Sequence, residues 1–426
     1  MYHGSMQSGG QGVYLANVTR ALARLGHDVH VISGPPYPVL DRAVVHHRLA
    51  TRSFEAMLLD RRAFFHDVSP LSHFDPLNFY EFVSTRFTLT SLMATFSLRA
   101  LAELTRVEAE GGAFDIVHDN QSLGYGLLGM QRLLGRPVVA NVHHPLDVDR
   151  RTALAHVASM REKVKRIAWY PWRMQRIVAR RLDALISGSN ASARLIERLW
   201  SLPAGSMRTI YDGVDVDVFR PGYDVDTEPG ALVFVGNAED YNKGVVYALR
   251  AMALLPASAN AHLYLVGGPA GEQRVAPAEI ARLGIGERVT VVGRVREGEL
   301  VRWYRRAQAL VSPSLYEGFG LPAAEAMACG TPVIATSAGA LPEVVADGET
   351  GVIVPPADER ALADAMASLL ADPERCRRMG AAGRERVLER FTWEQHARGL
   401  EALYDDVLRR GVGARREGGA LSASAS

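Results

Sequence analysis

The chain has 426 residues, a formal net charge of +1, 48% hydrophobic residues and two cysteines, Cys329 and Cys376. Its length exceeds a usual single domain and predicts two domains of roughly 200 residues, each able to bury its own core. The balanced charge excludes a chain-wide field for nucleic acid, the ordinary apolar content excludes global disorder, and the cysteine count excludes a disulfide framework and fits a reducing compartment.

The N-terminus shows no basic segment followed by an apolar stretch, and no run of about 18 apolar residues occurs, so neither a signal peptide nor a membrane span is expected. A cytoplasmic location follows as the expectation. The pair Gly9–Gly10 precedes a helical pattern in which Tyr14, Val18, Leu22 and Leu25 share a face, and Gly26 stands where a C-terminal cap belongs. Short runs rich in Val, Ile and Ala then read as buried strands: Val29–Ile32, Asp115–His118, Pro137–His143, Ala184–Ser187 and Arg208–Tyr211. Residues 46–110 are less regular, with an amphipathic helix near Phe87–Leu104. Tyr211–Pro221, with its glycine, proline and acids, reads as the domain junction.

Beyond it the strand–helix rhythm restarts with Ala231–Gly236, His262–Gly267, Val289–Gly293, Ala309–Pro313, Pro332–Thr336 and Gly351–Val354. Strands alternating with helices predict parallel sheets with right-handed crossovers. The expected layout is an N-terminal domain over 1–210, a linker over 211–221, a C-terminal domain over 222–391, a helix Thr392–Arg409 crossing back to the first domain, and a disordered tail from Gly411. A parallel sheet of this kind usually opens with a strand just before the glycine pair, and only Met1–Ser5 precede Met6–Gly10. About half a dozen strand residues are therefore expected upstream of Met1.

The strongest chemical signal is SLYEGFGLPAAEAMACG over Ser314–Gly330. Glu317 falls in a strand-to-helix loop, Pro322 suits the first helical position, and Glu325 falls on the first turn. The amides of Phe319, Gly320 and Leu321 lie at a helix start, lack intrahelical partners, and suit phosphate oxygens. Gly318 and Gly320 let backbone approach a ligand closely. Two carboxylates beside such a loop can accept hydrogen bonds from sugar hydroxyls.

EGFGLPAAEAMACGTPVIAT closely resembles the signature of family 4 glycosyltransferases, and the likeness runs from SGGQGVYL to FTWEQHA. The resemblance implies an α/β chain of GT-B type: two Rossmann-like domains with parallel sheets facing across a cleft, the donor nucleotide mainly on the second. It implies that Glu317 contacts the donor sugar and Glu325 the ribose, with the backbone of Gly318–Leu321 on phosphate and sugar. Gly9 and Gly10 would approach the diphosphate from the first domain, and His143, with His144 beside it, would touch the sugar near the reaction centre. The family places an arginine after the Ala231–Gly236 strand and a lysine before the next glycine. Here Asn237 replaces the arginine and Lys243 is present, so leaving-group charge would rest on Lys243 and backbone dipoles. Arg294–Val295 resembles the segment that reads the base edge. His118 and Asp119 also end a strand and are candidates for the acceptor side.

The implied reaction is transfer of a hexosyl unit from a nucleoside diphosphate sugar to a hydroxyl acceptor, with retention and without an obligatory metal or other cofactor. The alternatives are an epimerase of the same fold and a non-catalytic nucleotide-sugar-binding protein. The pairs Asp147/Asp149, Asp215/Asp217 and Asp224/Asp226 repeat a pattern that holds divalent metal in the other glycosyltransferase fold, and three copies in one chain read as structural. The stretch 161–181 is basic, with Trp169, Tyr170 and Trp172 in its middle. This suits peripheral contact with an anionic membrane and would make a lipid-linked acceptor reachable.

Overall fold

The computed structural model describes residues 1, 10–49, 76–84, 90–143, 172–268 and 274–423. The chain divides into two compact units: Met1–Gly188, Ala193–Ile210 and Ala397–Ser426 form the first, and Ser189–Ser192 with Tyr211–His396 the second.

The first unit opens with α1 (Gly10–Arg24), β1 (His30–Ser33) and β2 (Val45–Arg48), followed by α2 (Pro76–Ser84), α3 (Thr90–Ala109), β3 (Val117–Asn120), α4 (Gly126–Leu133) and β4 (Val138–Asn141). It continues with α5 (Trp172–Ala179), β5 (Ala184–Ser187), α6 (Asn190–Trp200), whose residues up to Ser192 belong to the second unit, and β6 (Met207–Thr209). β1 pairs with β2, and β3-β4-β5-β6 form a second sheet; every pairing is parallel. Helices cover both faces of such a sheet, so its strands are continuous apolar runs, as in the wholly buried β4. Phe96, Leu127, Val138, Ile196 and Trp200 join one core around it.

β2 was not expected from the sequence. Its residues, VHHR, contain no apolar run, and among the described residues it pairs with β1 alone. Its imidazoles are satisfied locally instead: His46 Nε2 lies 2.7 Å from Ser33 Oγ, and His47 Nε2 2.8 Å from His30 Nδ1. Met1 lies along β3, its amino group donating to the His118 carbonyl at 2.7 Å and its own carbonyl accepting from Asn120 N–H at 2.9 Å.

The second unit contains β7 (Ala231–Val235), α7 (Val245–Leu254), β8 (His262–Val266), α8 (Val275–Leu283), β9 (Val289–Gly293), α9 (Glu297–Arg306) and β10 (Ala309–Ser312). α10 (Leu321–Ala328), β11 (Val333–Thr336), α11 (Leu341–Val344), β12 (Gly351–Val354), α12 (Glu359–Leu370) and α13 (Pro373–Arg390) complete it. Its parallel sheet has the order β9-β8-β7-β10-β11-β12. This is the Rossmann order, and the direction of winding reverses between β7 and β10. Alternate residues feed opposite faces: Leu232 and Phe234 pack into one core, Ala231 and Val233 into the other.

The last helix, α14 (Trp393–Ala423), continues past Arg409, where the apolar pattern ends, and through the stretch read from composition as disordered. Ala414, Arg415, Arg416 and Glu417 are all strong helix formers, and backbone hydrogen bonding needs no apolar face to extend.

Candidate active site

In an open parallel sheet, ligands bind beyond the carboxyl ends of the strands where the winding reverses. In the second unit those ends belong to β7 and β10, and each is followed by a loop carrying a charged residue.

After β7 a short 3-10 turn, Tyr241–Lys243, is closed by Asp240, whose side chain accepts from Asn242 N–H at 2.9 Å. The Asn242 carbonyl then accepts from Leu315 N–H at 2.7 Å, which lays this turn against the loop after β10. Gly244 must be glycine twice over: its φ is 67°, and a Cβ there would stand 2.1 Å from the Pro313 carbonyl oxygen. The close approach places Lys243 Nζ 2.9 and 3.2 Å from the two Glu317 carboxylate oxygens. Ser314 Oγ donates to the same carboxylate at 3.2 Å. Burial works to lower the Lys243 pKa, but the Glu317 carboxylate outweighs it and the net direction is upward. The ammonium therefore stays charged at neutral pH.

The loop Glu317–Gly320 is held by its carbonyls. That of Glu317 accepts from Ala340 N–H at 3.0 Å, and that of Gly318 accepts from Ser189 Oγ at 2.6 Å and Ser192 Oγ at 3.0 Å. In a trans peptide the N–H points opposite to the C=O, so these bonds aim the Gly318 and Phe319 amides to the other side of the loop. The Phe319 ring is the anchor, buried against Phe391 at a centroid distance of 5.6 Å. Gly320, at φ 103°, precedes the start of α10, and no side chain caps it. The Lys243 ammonium and the amides at the start of α10 thus lie on two loops joined by the Leu315–Asn242 hydrogen bond, and each is a group that stabilises negative charge.

α10 begins at Leu321, one residue before Pro322, so Glu325 is its fifth residue and sits one turn in rather than on the first turn. Its carboxylate accepts from the buried Tyr304 hydroxyl at 2.8 Å. Burial raises its pKa to about 7, although the Tyr304 hydrogen bond pulls the other way. Asn237 follows β7 and turns its side chain onto Glu239 N–H at 3.0 Å. Beyond β9, Arg294 is exposed and Val295 packs onto the core.

In the first unit, His143 follows β4. Its ring Nε2 lies 2.6 Å from Asn120 Oδ1, and its backbone N–H donates to Gln121 Oε1 at 2.7 Å. Gly10 is the first residue of α1; Gly9 and His144 lie outside the described residues. The two acceptor-side candidates take scaffold positions. His118 Nδ1 lies 2.6 Å from the Tyr404 hydroxyl of α14. Asp119 is 0% exposed, with its oxygens accepting from Ser122 Oγ at 2.5 Å and Leu123 N–H at 2.8 Å. A carboxylate turned inward to hold its own loop, with Gln121 and Leu123 at positive φ, presents nothing to an acceptor.

Asp215 caps the amides of Asp217 and Val218, and Asp224 pairs with the Arg305 guanidinium at 2.5 Å, so these two carboxylates serve the local structure; Asp147 and Asp149 lie outside the described residues. Among the described residues no His, Cys, Asp and Glu cluster could hold a metal, and no helix is long and apolar enough to cross a membrane. Of the basic stretch only 172–181 is described, and there Arg180 donates to the Trp200 and Ser201 carbonyls. Ser189, Ser192, Ser314, Tyr304, Asn120, Gln121 and Asn141 were not anticipated. Their only sequence signal is their place at or just after strand ends or, for Tyr304, on a helix flanking β10.

Two family models match the chain: Glycosyltransferase Family 4 over residues 8–218 and Glycosyl transferases group 1 over 215–386. An MMP alpha-(1->4)-mannosyltransferase of Mycolicibacterium hassiacum is 37% identical over 96% of this chain and 97% of its own. A D-inositol 3-phosphate glycosyltransferase of Catenulispora acidiphila is 31% identical over 94% and 91%. Among solved structures, sucrose-phosphate synthase from Thermosynechococcus elongatus superposes with a TM-score of 0.72 at 27% identity, over 96% of this chain and 95% of that one. The fold is GT-B, the enzyme is a hexosyltransferase that uses a nucleotide sugar, and the chain belongs to the family 4, group 1 glycosyltransferases.

Proposed function

We propose that the transferred hexose is mannose, carried on a nucleoside diphosphate, and that Lys243, Glu317, Glu325 and the Gly318–Leu321 backbone form the donor site. The mannose rests on the 37% identity, over nearly the whole chain, to a mannosyltransferase. The site rests on one observation: the Lys243–Glu317 ion pair at the winding reversal, beside amides aimed away from pinned carbonyls. When the bond from the anomeric carbon to the diphosphate breaks, charge collects on phosphate oxygens. Lys243 and the amides of Phe319–Leu321 stabilise that charge. The diphosphate draws the ammonium from Glu317, which frees the carboxylate to accept from sugar hydroxyls. Glu325 accepts from the ribose, and Asn237, Arg294 and Val295 border the nucleotide. The likeness to the family assigns His143 and Gly10 to sugar binding.

The sequence of 161–181 supports peripheral contact with the inner face of a membrane and a lipid-linked hydroxyl acceptor; co-sedimentation with anionic vesicles tests it. The donor site is tested by thermal shift and nucleotide release with GDP-, UDP- and ADP-hexoses, using wild type, Lys243→Ala and Glu317→Ala. Selective stabilisation by a mannose donor, with release lost in both variants, is the expected result. Equal response to all donors, or full turnover in Lys243→Ala, refutes it.

A further inference from the structure

The first unit encloses a cavity of about 430 Å3 between its two sheets. β1 and the residue before it contribute residues 29–32 to the wall, and β3 and its approach contribute residues 113–118. Leu22 of α1, Leu104 and Val107 of α3, and Tyr404 and Leu408 of α14 add mostly apolar side chains. On β1, the carbonyls of Val29 and Ser33 accept from Val45 and Leu49 N–H on the β2 side. Alternation along the strand therefore turns the peptide groups of His30 and Ile32 to the opposite edge, where no described strand pairs with them. On β3, Met1 already takes ladder positions: donating to the His118 carbonyl and accepting from Asn120 N–H are the two bonds made by a residue opposite Asp119 in a parallel pair. The Met1 nitrogen is buried, which holds its pKa below the ordinary α-amino value although the Asp119 carboxylate pulls the other way. An ammonium has three hydrogens to satisfy; a peptide nitrogen has one, and one is what the His118 carbonyl takes.

We propose that this cavity is a strand-accepting site, and that its occupant is an extended apolar segment of this chain joined to the Met1 nitrogen and running parallel between β1 and β3. The second unit shows the same winding complete: its first strand, β7, lies in the middle of the sheet between β8 and β10. A strand in the cavity would give the first unit the order β2-β1-strand-β3-β4-β5-β6, with the winding reversed beside the inserted strand in the same way. Carried back from Met1 along residues 113–118, the register calls for about six residues at about 3.3 Å each. Helices contribute to the walls, so both faces of the segment are buried and it should be a continuous run of Val, Ile and Leu. His27 and Glu401 also line the cavity, 3.2 Å apart and with side chains 38% and 43% exposed, so a chain entering past them comes from solvent. Occupation would join the two sheets into one and give His30 and Ile32 their ladder partners.

The test compares the 426-residue chain with two forms extended before Met1 by about six residues, one extension of Val, Ile and Leu and the other of Ser and Gly. Amide hydrogen exchange is read by NMR at His30 and Ile32, and melting by scanning fluorimetry. The apolar extension should slow exchange at both amides by about 10-fold or more and raise the melting temperature by about 5 °C or more, and the Ser–Gly extension should do neither. Leu22→Trp, which fills part of the cavity, should cancel the gain from the apolar extension. Equal exchange at His30 and Ile32 in the two extended forms overturns the proposal, whether or not Leu22→Trp folds. A higher melting temperature without protection of those amides overturns it too, because the segment is then bound elsewhere. A gain that survives intact in folded Leu22→Trp has the same meaning.

Discussion

Replacing Glu325 by glutamine should make the protein more stable at alkaline pH while leaving acidic stability nearly unchanged. The carboxyl has a folded pKa of about 7 against an ordinary 4.5, with burial the main cause. A group raised in this way contributes stability that is fully present below the unfolded value and is lost as the pH rises through the folded one. Between about pH 4.5 and pH 8 the loss is on the order of 2–3 kcal/mol if the full shift operates, and about half that if water reaches the carboxylate. Glutamine keeps the shape and can still accept from the Tyr304 hydroxyl, but it never ionises. For a unit of roughly 190 residues the variant should therefore gain about 2–8 °C in melting temperature over wild type near pH 8, and little near pH 5. The assay is differential scanning fluorimetry across a pH series, with urea melts resolving the two units where their transitions separate. If the difference between variant and wild type is the same at both ends of the series, Glu325 is not a buried, raised carboxyl, and the argument fails. The same variant should bind nucleoside diphosphate more weakly, since an amide offers one acceptor oxygen where a carboxylate offers two.

Removing the hydroxyls that hold the Gly318 carbonyl should misaim the Phe319 amide: Ser189→Ala and Ser192→Ala should each raise donor KM about 5-fold, and the double variant about 30-fold, at roughly 1 kcal/mol per neutral hydrogen bond. Ser189→Thr should restore much of the loss, and a double variant with wild-type KM would refute the orientation argument. Lys243→Ala should lower kcat about 10²–10³-fold, the scale for one preorganised charge stabiliser, whereas Ser314→Ala should cost far less. Steady-state nucleotide release measures both. Gly244→Ala should disrupt the approach of the two loops, lowering kcat as Lys243→Ala does and the melting temperature as well. Turnover should be unchanged by chelators, and a loss restored by Mg2+ would refute a metal-independent transfer.

Much of the fold was legible because buried parallel strands are apolar on both faces. Ala184–Ser187, Val289–Gly293 and Gly351–Val354 occur as read, and other runs such as Pro137–His143 differ by one or two residues at an end. β2 was not legible, because an edge strand of VHHR carries no apolar run. At the site, Glu317, Lys243 and the glycines announce themselves by spacing. That Lys243 and Glu317 touch could not be read across a separation of 74 positions. It follows from the sheet order, which brings the ends of β7 and β10 side by side. The serines behind Gly318 were invisible for a related reason: they come from a segment more than 120 residues away, and serine after a strand is common. Asp119 was misleading because a strand-end carboxylate looks functional until its oxygens are found closing its own loop.

The first unit is discontinuous: its last piece, from Ala397 onward, is separated from Ile210 by Tyr211–His396 of the second. During synthesis on the ribosome this piece emerges last. At typical elongation rates it follows Ile210 by roughly 10–40 s. For that interval His118 has no Tyr404 to meet, and the face that α14 covers is open. The second unit, by contrast, has all of its sheet and both of its cores before α14 is made. The order of completion is therefore the reverse of the order of translation, and the first unit is the one that must wait, exposed to chaperones and proteases, for its own last piece.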